Sequence, residues 1–137
     1  MSNLEQTLSI VKPDAVERNL DNEIKNIFIK NGFKIIKDNK KIHITKEEAA
    51  EFYKVHQSKP FYNDLCSYLS SGPIVVLLHE GEDAISKNRK LMGATDPKNA
   101  KENTIRKLYG ISIDKNSVHG SDSLENATKE IEFFFKS

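Results

Sequence analysis

The chain has 137 residues, enough for one compact domain (residues 1–137) and too few for two with adequate cores. Apolar residues make up 37% and charged residues 30%, which excludes an intrinsically disordered composition. Its 21 basic and 20 acidic side chains leave a net charge of +1, so no whole-protein field draws nucleic acid or a membrane, and strong nucleic-acid binding is not expected. Any anion site must be local.

The single cysteine, Cys66, has no internal disulfide partner, Met1 to Gln6 is polar, and no apolar run approaches the about 20 residues that span a bilayer. These features predict a cytoplasmic protein. The basic residues are 18 lysines and only three arginines, Arg18, Arg89 and Arg106. A chain that uses lysine for surface charge can keep arginine for sites that need a planar fork.

In chain order, Thr7 to Val11 is a β-rich segment with Leu8 and Ile10 on one face and Val11 on the other. Lys12-Pro13-Asp14 ends it, because proline cannot donate to a sheet ladder. Leu20, Ile24, Ile27 and Phe28 recur at helical spacing, with Gly32 as a C-terminal stop. Phe33 to Ile44 reads as a second strand, interrupted by the polar patch Lys37 to Lys41. Thr45 with Glu48 is a capping box, which predicts a helix through Ala49, Phe52 and Tyr53.

Another short helix is predicted over Phe61 to Leu69, ending near Gly72-Pro73. Ile74 to Leu78 is the most hydrophobic run and reads as a central strand buried on both faces. Ala84, Ile85 and Leu91 suggest a short helix after Gly81. From Gly93 to Lys115 the periodicity fades into a long irregular segment. A brief strand near Ser117-Val118 leads into a helix from Ser123 to Phe135, with a stripe of Leu124, Ala127, Ile131 and Phe134. Alternating strands and helices around one sheet predict an α/β sandwich, of the ferredoxin-like βαββαβ type with a split βαβ sheet.

His119 lies where the last strand runs toward the last helix, in Val118-His119-Gly120-Ser121-Asp122-Ser123. Gly120 admits close approach, and Ser121, Asp122 and Ser123 are cap-type residues beside amides that attract anions. An imidazole there could attack a phosphoryl group and hold it covalently. The hexapeptide alone reads equally well as a surface histidine beside an ordinary helix cap. His43, His56 and His79 show no ligand spacing and Cys66 has no CxxC partner, so no protein metal site is expected.

Neither GxxxxGK[ST] nor GxGxxG occurs, so a nucleotide site would be built from side chains. Arg89 and Arg106 sit in the stretch that leads to His119, and with Lys12 they could clamp a polyphosphate; each read singly is also an ordinary surface cation. Tyr53, Phe61 and Tyr62 are core aromatics or a stacking platform for a base.

Five segments in order resemble the nucleoside diphosphate kinase signature: Lys12-Pro13-Asp14-Ala15, Pro60-Phe61, Gly93-Ala94-Thr95-Asp96-Pro97, Thr104-Ile105-Arg106, and Asn116 through Ser123. The likeness runs from about Thr7 to Phe135. It implies a ferredoxin-like fold with an antiparallel four-stranded sheet covered by helices. It also implies Mg²⁺ carried on nucleotide phosphates, with Asp122 as a candidate contributor, and ping-pong transfer from ATP to another nucleoside diphosphate. His119 matches the phosphorylated histidine, Glu130 the glutamate that orients it, and Tyr53, Ser121 and Ser123 the surroundings of the transfer centre. Lys12, Arg89, Thr95 and Arg106 match phosphate ligands. The lysine also matches a ribose contact, and Asn116 a contact of the sugar 3′-hydroxyl. Phe61 matches the aromatic under the base, and Ile113 falls where an apolar residue packs on its other face. Few polar contacts to base edges implies breadth toward bases.

The sequence departs from the family at Asn103-Thr104-Ile105-Arg106-Lys107-Leu108-Tyr109, where a glycine usually precedes the threonine and an aspartate follows. That loop helps hold subunits together in the family, so the departure bears on whether a homo-oligomer, a tetramer or a hexamer, assembles. A non-catalytic nucleotide-binding module on the same fold is the alternative. A nucleic-acid binder is a weaker one, since Lys37, Lys40 and Lys41 form the only dense basic cluster.

Overall fold

The structure is a computed structural model that describes residues 4–113 and 115–135, with the backbone alone at Lys40 and Val55. Four strands, β1 (Leu4–Val11), β2 (Lys34–Ile42), β3 (Ile74–Glu82) and β4 (Val118–Gly120), form one antiparallel sheet in the order β2-β3-β1-β4. This is the ferredoxin-like arrangement expected from the alternation of elements. Strand β1 begins three residues earlier than predicted.

Period-two alternation divides the core. Leu8 and Ile10 of β1 join Ile74 and Val76 of β3 on one face, where they meet α3 (Lys46–Phe52), α4 (Tyr62–Leu69) and α7 (Leu124–Phe135) through Ala49, Leu69 and Ile131. Val11, Val75 and Leu77 point to the other face. There Ile24 and Phe28 of α2 (Asp21–Lys30), Met92 of α5 (Ala84–Met92) and Ile105 of α6 (Ile105–Tyr109) cover them. Strand β3 is buried from Ile74 to His79, as its unbroken apolar run requires.

Local signals account for most boundaries. Thr45 Oγ1 accepts from Glu48 N at 3.0 Å while Glu48 Oε1 accepts from Thr45 N at 2.9 Å, so the capping box starts α3. Gly32 ends α2 with φ of +90°.

Four expectations change. Lys37 to Lys41 does not interrupt β2; two register shifts, between Ile35 and Lys37 and between Asp38 and Lys41, absorb the polar patch as bulges within one strand. Pro13 ends β1 but also opens the short helix α1 (Pro13–Glu17), where its missing N–H costs nothing. The segment from Gly93 to Lys115 contains a 3₁₀ turn over Pro97–Asn99 and the helix α6, capped by Thr104. Leu124 of the predicted helical stripe is 56% exposed, while Ala127 is buried.

His79 sits in β3 with no exposure, stacked on Phe28 at 4.5 Å and edge-on to Phe33. Its Nε2 pairs with Ser9 Oγ at 2.8 Å, and Asn88 Nδ2 donates to the same oxygen at 2.9 Å. Burial pushes its pKa down to about 3, so it is neutral in the fold. The unfolded chain takes up this proton near its ordinary pKa of 6.5, so the stability present above that pH is lost as pH falls toward 3. The loss approaches about 1.4 kcal/mol per pH unit. Thermal melts of wild type and His79→Leu from pH 7 to 4.5 check this: the gap should close in favour of the variant as pH falls. A pH-independent gap would count against it.

Candidate active site

The short strand β4 places His119. It pairs with Ile10 across the sheet edge, so its ring stands on the α3 and α7 face, while Val118 enters the opposite core. Gly120 faces α5 so closely that a Cβ would meet Asn88 Nδ2 at 2.5 Å and Met92 at 2.7 Å. The ring meets Phe52 edge-on at 5.4 Å and Tyr53 at 6.2 Å. His119 Nε2 lies 3.3 Å from Glu130 Oε1 of α7, and Ser121 Oγ donates to that oxygen at 2.6 Å. Ser121 is fully buried, so the carboxylate is fixed from one side by a hydroxyl that cannot swing into solvent. Tyr53 is 4% exposed, and burial, then the charge of Glu130, push its hydroxyl well above the usual phenol range; it stays a donor.

A second group converges from loops. Lys12, at the end of β1, is 6% exposed and donates from Nζ to Asn116 Oδ1 at 2.9 Å. Asn116 Nδ2 donates to the Thr95 carbonyl at 3.0 Å. Arg106 forks onto two carbonyls, of Gly93 and Val118, each at 2.9 Å. Burial, then the charge of Arg89, push its pKa down to about 10, which still leaves it a cation. A cation held against another cation in partial burial is a receptor for an anion.

Arg89, Thr95, Arg106 and Asp122 share the wall of a cavity of about 1120 Å³ between α5 and the loop after it. Asp122 accepts from Asn126 Nδ2 at 2.6 Å, and this bond, helped by Arg89 and His119, lowers its carboxyl below the usual range. Lys12, Asn116 and His119 are not on that wall.

Other predicted residues sit apart. Ser123 Oγ caps α7 by accepting from Asn126 N at 3.1 Å, a structural role with no contact to the imidazole among the described ones. Phe61 is 45% exposed just before α4, with His56 at 6.0 Å and Lys59 Nζ 5.9 Å from its centroid. Ile113 is 56% exposed on the turn before Asn116, and no described contact joins it to Phe61. Both offer apolar surface to solvent, which suits a platform that a flat ligand would cover.

Phe52 escaped the sequence reading, although it neighbours Tyr53 and is nearer the imidazole. Arg18 proves structural: its fork holds the Asp14 carboxylate at 3.2 Å and the Tyr109 carbonyl at 2.6 Å. Asn103, where the family has glycine, takes φ of +67°, a conformation asparagine tolerates, so the turn into α6 survives the exchange.

The family model for nucleoside diphosphate kinase matches residues 5–137. The chain belongs to the nucleoside diphosphate kinase family. A nucleoside diphosphate kinase of a Nitratiruptor species is 58% identical over 96% of this chain and 96% of its own. The Aquifex aeolicus nucleoside diphosphate kinase superposes with a TM-score of 0.95 at 43% identity, covering 98% of this chain and 97% of that one. A halophilic member from Halobacterium salinarum, solved in complex with CDP, gives 0.92 at 39% identity over 98% and 90%. No helix among the described residues is long and apolar enough to cross a membrane.

Proposed function

We propose that the site moves a γ-phosphoryl group from a nucleoside triphosphate, mainly ATP, to a nucleoside diphosphate through a phosphohistidine at His119, maintaining nucleoside triphosphate pools. The nucleoside diphosphate kinase activity itself is that of the family. The observation that supports the covalent route is an imidazole held at Glu130, itself bonded by Ser121, and next in the chain to Val118, whose carbonyl takes the Arg106 fork.

With the proton on Nε2, the bond to Glu130 fixes the tautomer and leaves the Nδ1 lone pair to attack. A bond forms from Nδ1 to phosphorus as the bond to the β-phosphate oxygen breaks, and the diphosphate leaves with that electron pair. Nε2 keeps its proton, and Glu130 offsets the positive charge on the ring. A second diphosphate then attacks phosphorus through its terminal oxygen, the N–P bond breaks, and the imidazole is restored. Donor and acceptor are chemically alike, so one pocket serves both steps.

Arg106, Arg89 and Lys12 hold the phosphates and the charge that spreads over the equatorial oxygens, with Thr95 as a further phosphate ligand. Tyr53 supplies a permanently protonated hydroxyl beside the ring. Lys12 and Asn116 meet the sugar hydroxyls. Phe61 stacks the base and Ile113 covers its other face; neither reads base edges, so many bases are accepted. Phe61→Ala is expected to raise KM for every nucleotide about tenfold and leave kcat within about twofold, as loss of uniform binding does; steady-state assays check this.

Among the described residues no cluster of His, Cys, Asp or Glu could hold a metal ion. The ionised Asp122 on the cavity wall with Arg89 nevertheless fits Mg²⁺ delivered on the phosphates. When bound, Mg²⁺ neutralises phosphate charge and aligns the terminal group. We place this chemistry in the cytoplasm. We also place it in a homo-oligomer of four or six subunits, since Leu108 within the 103–109 loop and Ile111 just after it are 52% and 60% exposed; light scattering checks the number.

The test is to mix the protein with Mg²⁺-ATP and GDP. GTP should form with ADP in equal amount, chelating Mg²⁺ should stop it, and ATP alone should leave acid-labile, base-stable phosphate on the protein. Binding of nucleotide with no transfer would instead favour a non-catalytic binding module.

A further inference from the structure

We infer that Asp14 is a positioning residue that, by holding Ser117 in a left-handed backbone conformation, aims Asn116 at Lys12 and so builds the sugar end of the site. The inference rests on the reading of Lys12 and Asn116 as sugar-hydroxyl ligands given above.

Asp14 lies in α1, and its side chain is 3% exposed. Its Oδ1 accepts from Tyr68 Oη of α4 at 2.5 Å. Its Oδ2 accepts from Ser117 Oγ at 3.1 Å and from Arg18 at 3.2 Å. The Asp14 N–H in turn donates to Tyr68 Oη at 2.9 Å, so the tyrosine clasps both ends of this residue. No step of the proposed reaction uses this carboxylate, yet it collects three donors from three separate parts of the chain. A buried charge so fully satisfied is costly to remove from one side only.

Ser117 is the reason for such a clamp. It is fully buried and has φ of +76°, where a non-glycine residue costs about 1–3 kcal/mol unless its surroundings impose it. That turn presents the Ser117 carbonyl to Lys12 N at 2.8 Å. It also sends the Asn116 side chain back to Lys12 Nζ at 2.9 Å, with Val118 starting β4 on the far side. The backbone of Lys12 is thus tied to residue 117 and its side chain to residue 116. Asp14, two residues along from Lys12, holds residue 117 from the opposite direction. If Ser117 relaxed to negative φ, Asn116 would leave the lysine.

The experiment compares Asp14→Asn, Ser117→Ala and Ser117→Gly with wild type. Asparagine keeps the size and the acceptor for Tyr68 but turns a donor toward Arg18. Alanine removes the hydroxyl and keeps the strain, and glycine removes both. The first readout is the Asn116 side-chain amide by NMR in the nucleotide-free protein. Its resonances should stay at wild-type positions in Ser117→Gly and move toward solvent-exposed values in Asp14→Asn and Ser117→Ala. The second is KM for a nucleoside diphosphate against its 3′-deoxy analogue. The wild-type preference for the 3′-hydroxyl should shrink about tenfold in Asp14→Asn and Ser117→Ala, the scale of one lost hydrogen bond to a charged group, with KM for the analogue unchanged.

Unmoved Asn116 resonances in these two variants would overturn the inference, as would an equal loss on both nucleotides. Should Asp14→Asn fail to fold, Ser117→Ala decides alone. A wild type that does not distinguish the two nucleotides would defeat the sugar-ligand reading, while the amide resonances still decide the positioning role.

Discussion

Replacing His119 with alanine is expected to abolish phosphoryl transfer, lowering GTP formation from ATP and GDP by about 10⁴-fold or more. No second nucleophile stands beside it among the described residues: Ser121 spends its hydroxyl proton on Glu130, and burial keeps Tyr53 protonated. The fold should barely notice. The His119 side chain is 23% exposed, and its loss removes only edge contacts with Phe52 and Tyr53, worth about 1 kcal/mol. Circular dichroism and melting should therefore match wild type while the phosphoprotein disappears. Labelled phosphate still found on the variant after incubation with ATP would place the nucleophile elsewhere.

Arg106→Ala should damage both chemistry and stability, and that pairing distinguishes it from His119→Ala. Its guanidinium joins the Gly93 carbonyl to the Val118 carbonyl, so it ties the end of α5 to the strand that carries His119. Alanine leaves both carbonyls without this donor, at about 1–3 kcal/mol each. It also removes a cation from the proposed phosphate site, and kcat should fall about 10²- to 10³-fold. Lysine restores the charge but reaches only one carbonyl, so Arg106→Lys should recover part of the stability and little of the rate. A lysine variant with near wild-type kcat would show that charge alone matters at this position and that the fork does not.

The features behind these effects are legible in the sequence to different degrees. The facing of Leu8, Ile10 and Val11, the buried run from Ile74 and the capping box at Thr45 are local patterns, and each has one physical solution. Pro13 is half legible, since the same ring that ends a strand suits the first turn of a helix. The bulges of β2 are not, because a register shift depends on the partner strand and not on Lys37 to Lys41 themselves. Helix α6 is five residues long, too short for periodicity to show.

The site divides in the same way. His119 and Arg106 stand in segments that resemble the family signature, and Arg89 lies four residues before another of them. Asp14 gives no signal of its role, because its partners Tyr68 and Ser117 lie 54 and 103 residues away. Phe52 reads as one more helix residue until α3 is found to end against the imidazole. The scarcity of arginine proves meaningful in an unexpected way, since Arg18 also uses its planar fork, on a carboxylate and a carbonyl rather than on substrate.

Strand β4 is only three residues long, and each residue faces a different environment: Val118 a core, His119 the Glu130 carboxylate and the Phe52 ring, Gly120 the flank of α5. Its place against β1 is pinned from outside, by Lys12 N on the Ser117 carbonyl at one end and Ser121 N on the Leu8 carbonyl at the other. A slip of one residue would turn the imidazole into the packed interior beside Met92 and leave a small, inert neighbour facing Glu130. The stretch from Asn116 to Ser121 therefore has no slack for an insertion or a deletion. Only an exchange of one side chain for another leaves that register intact.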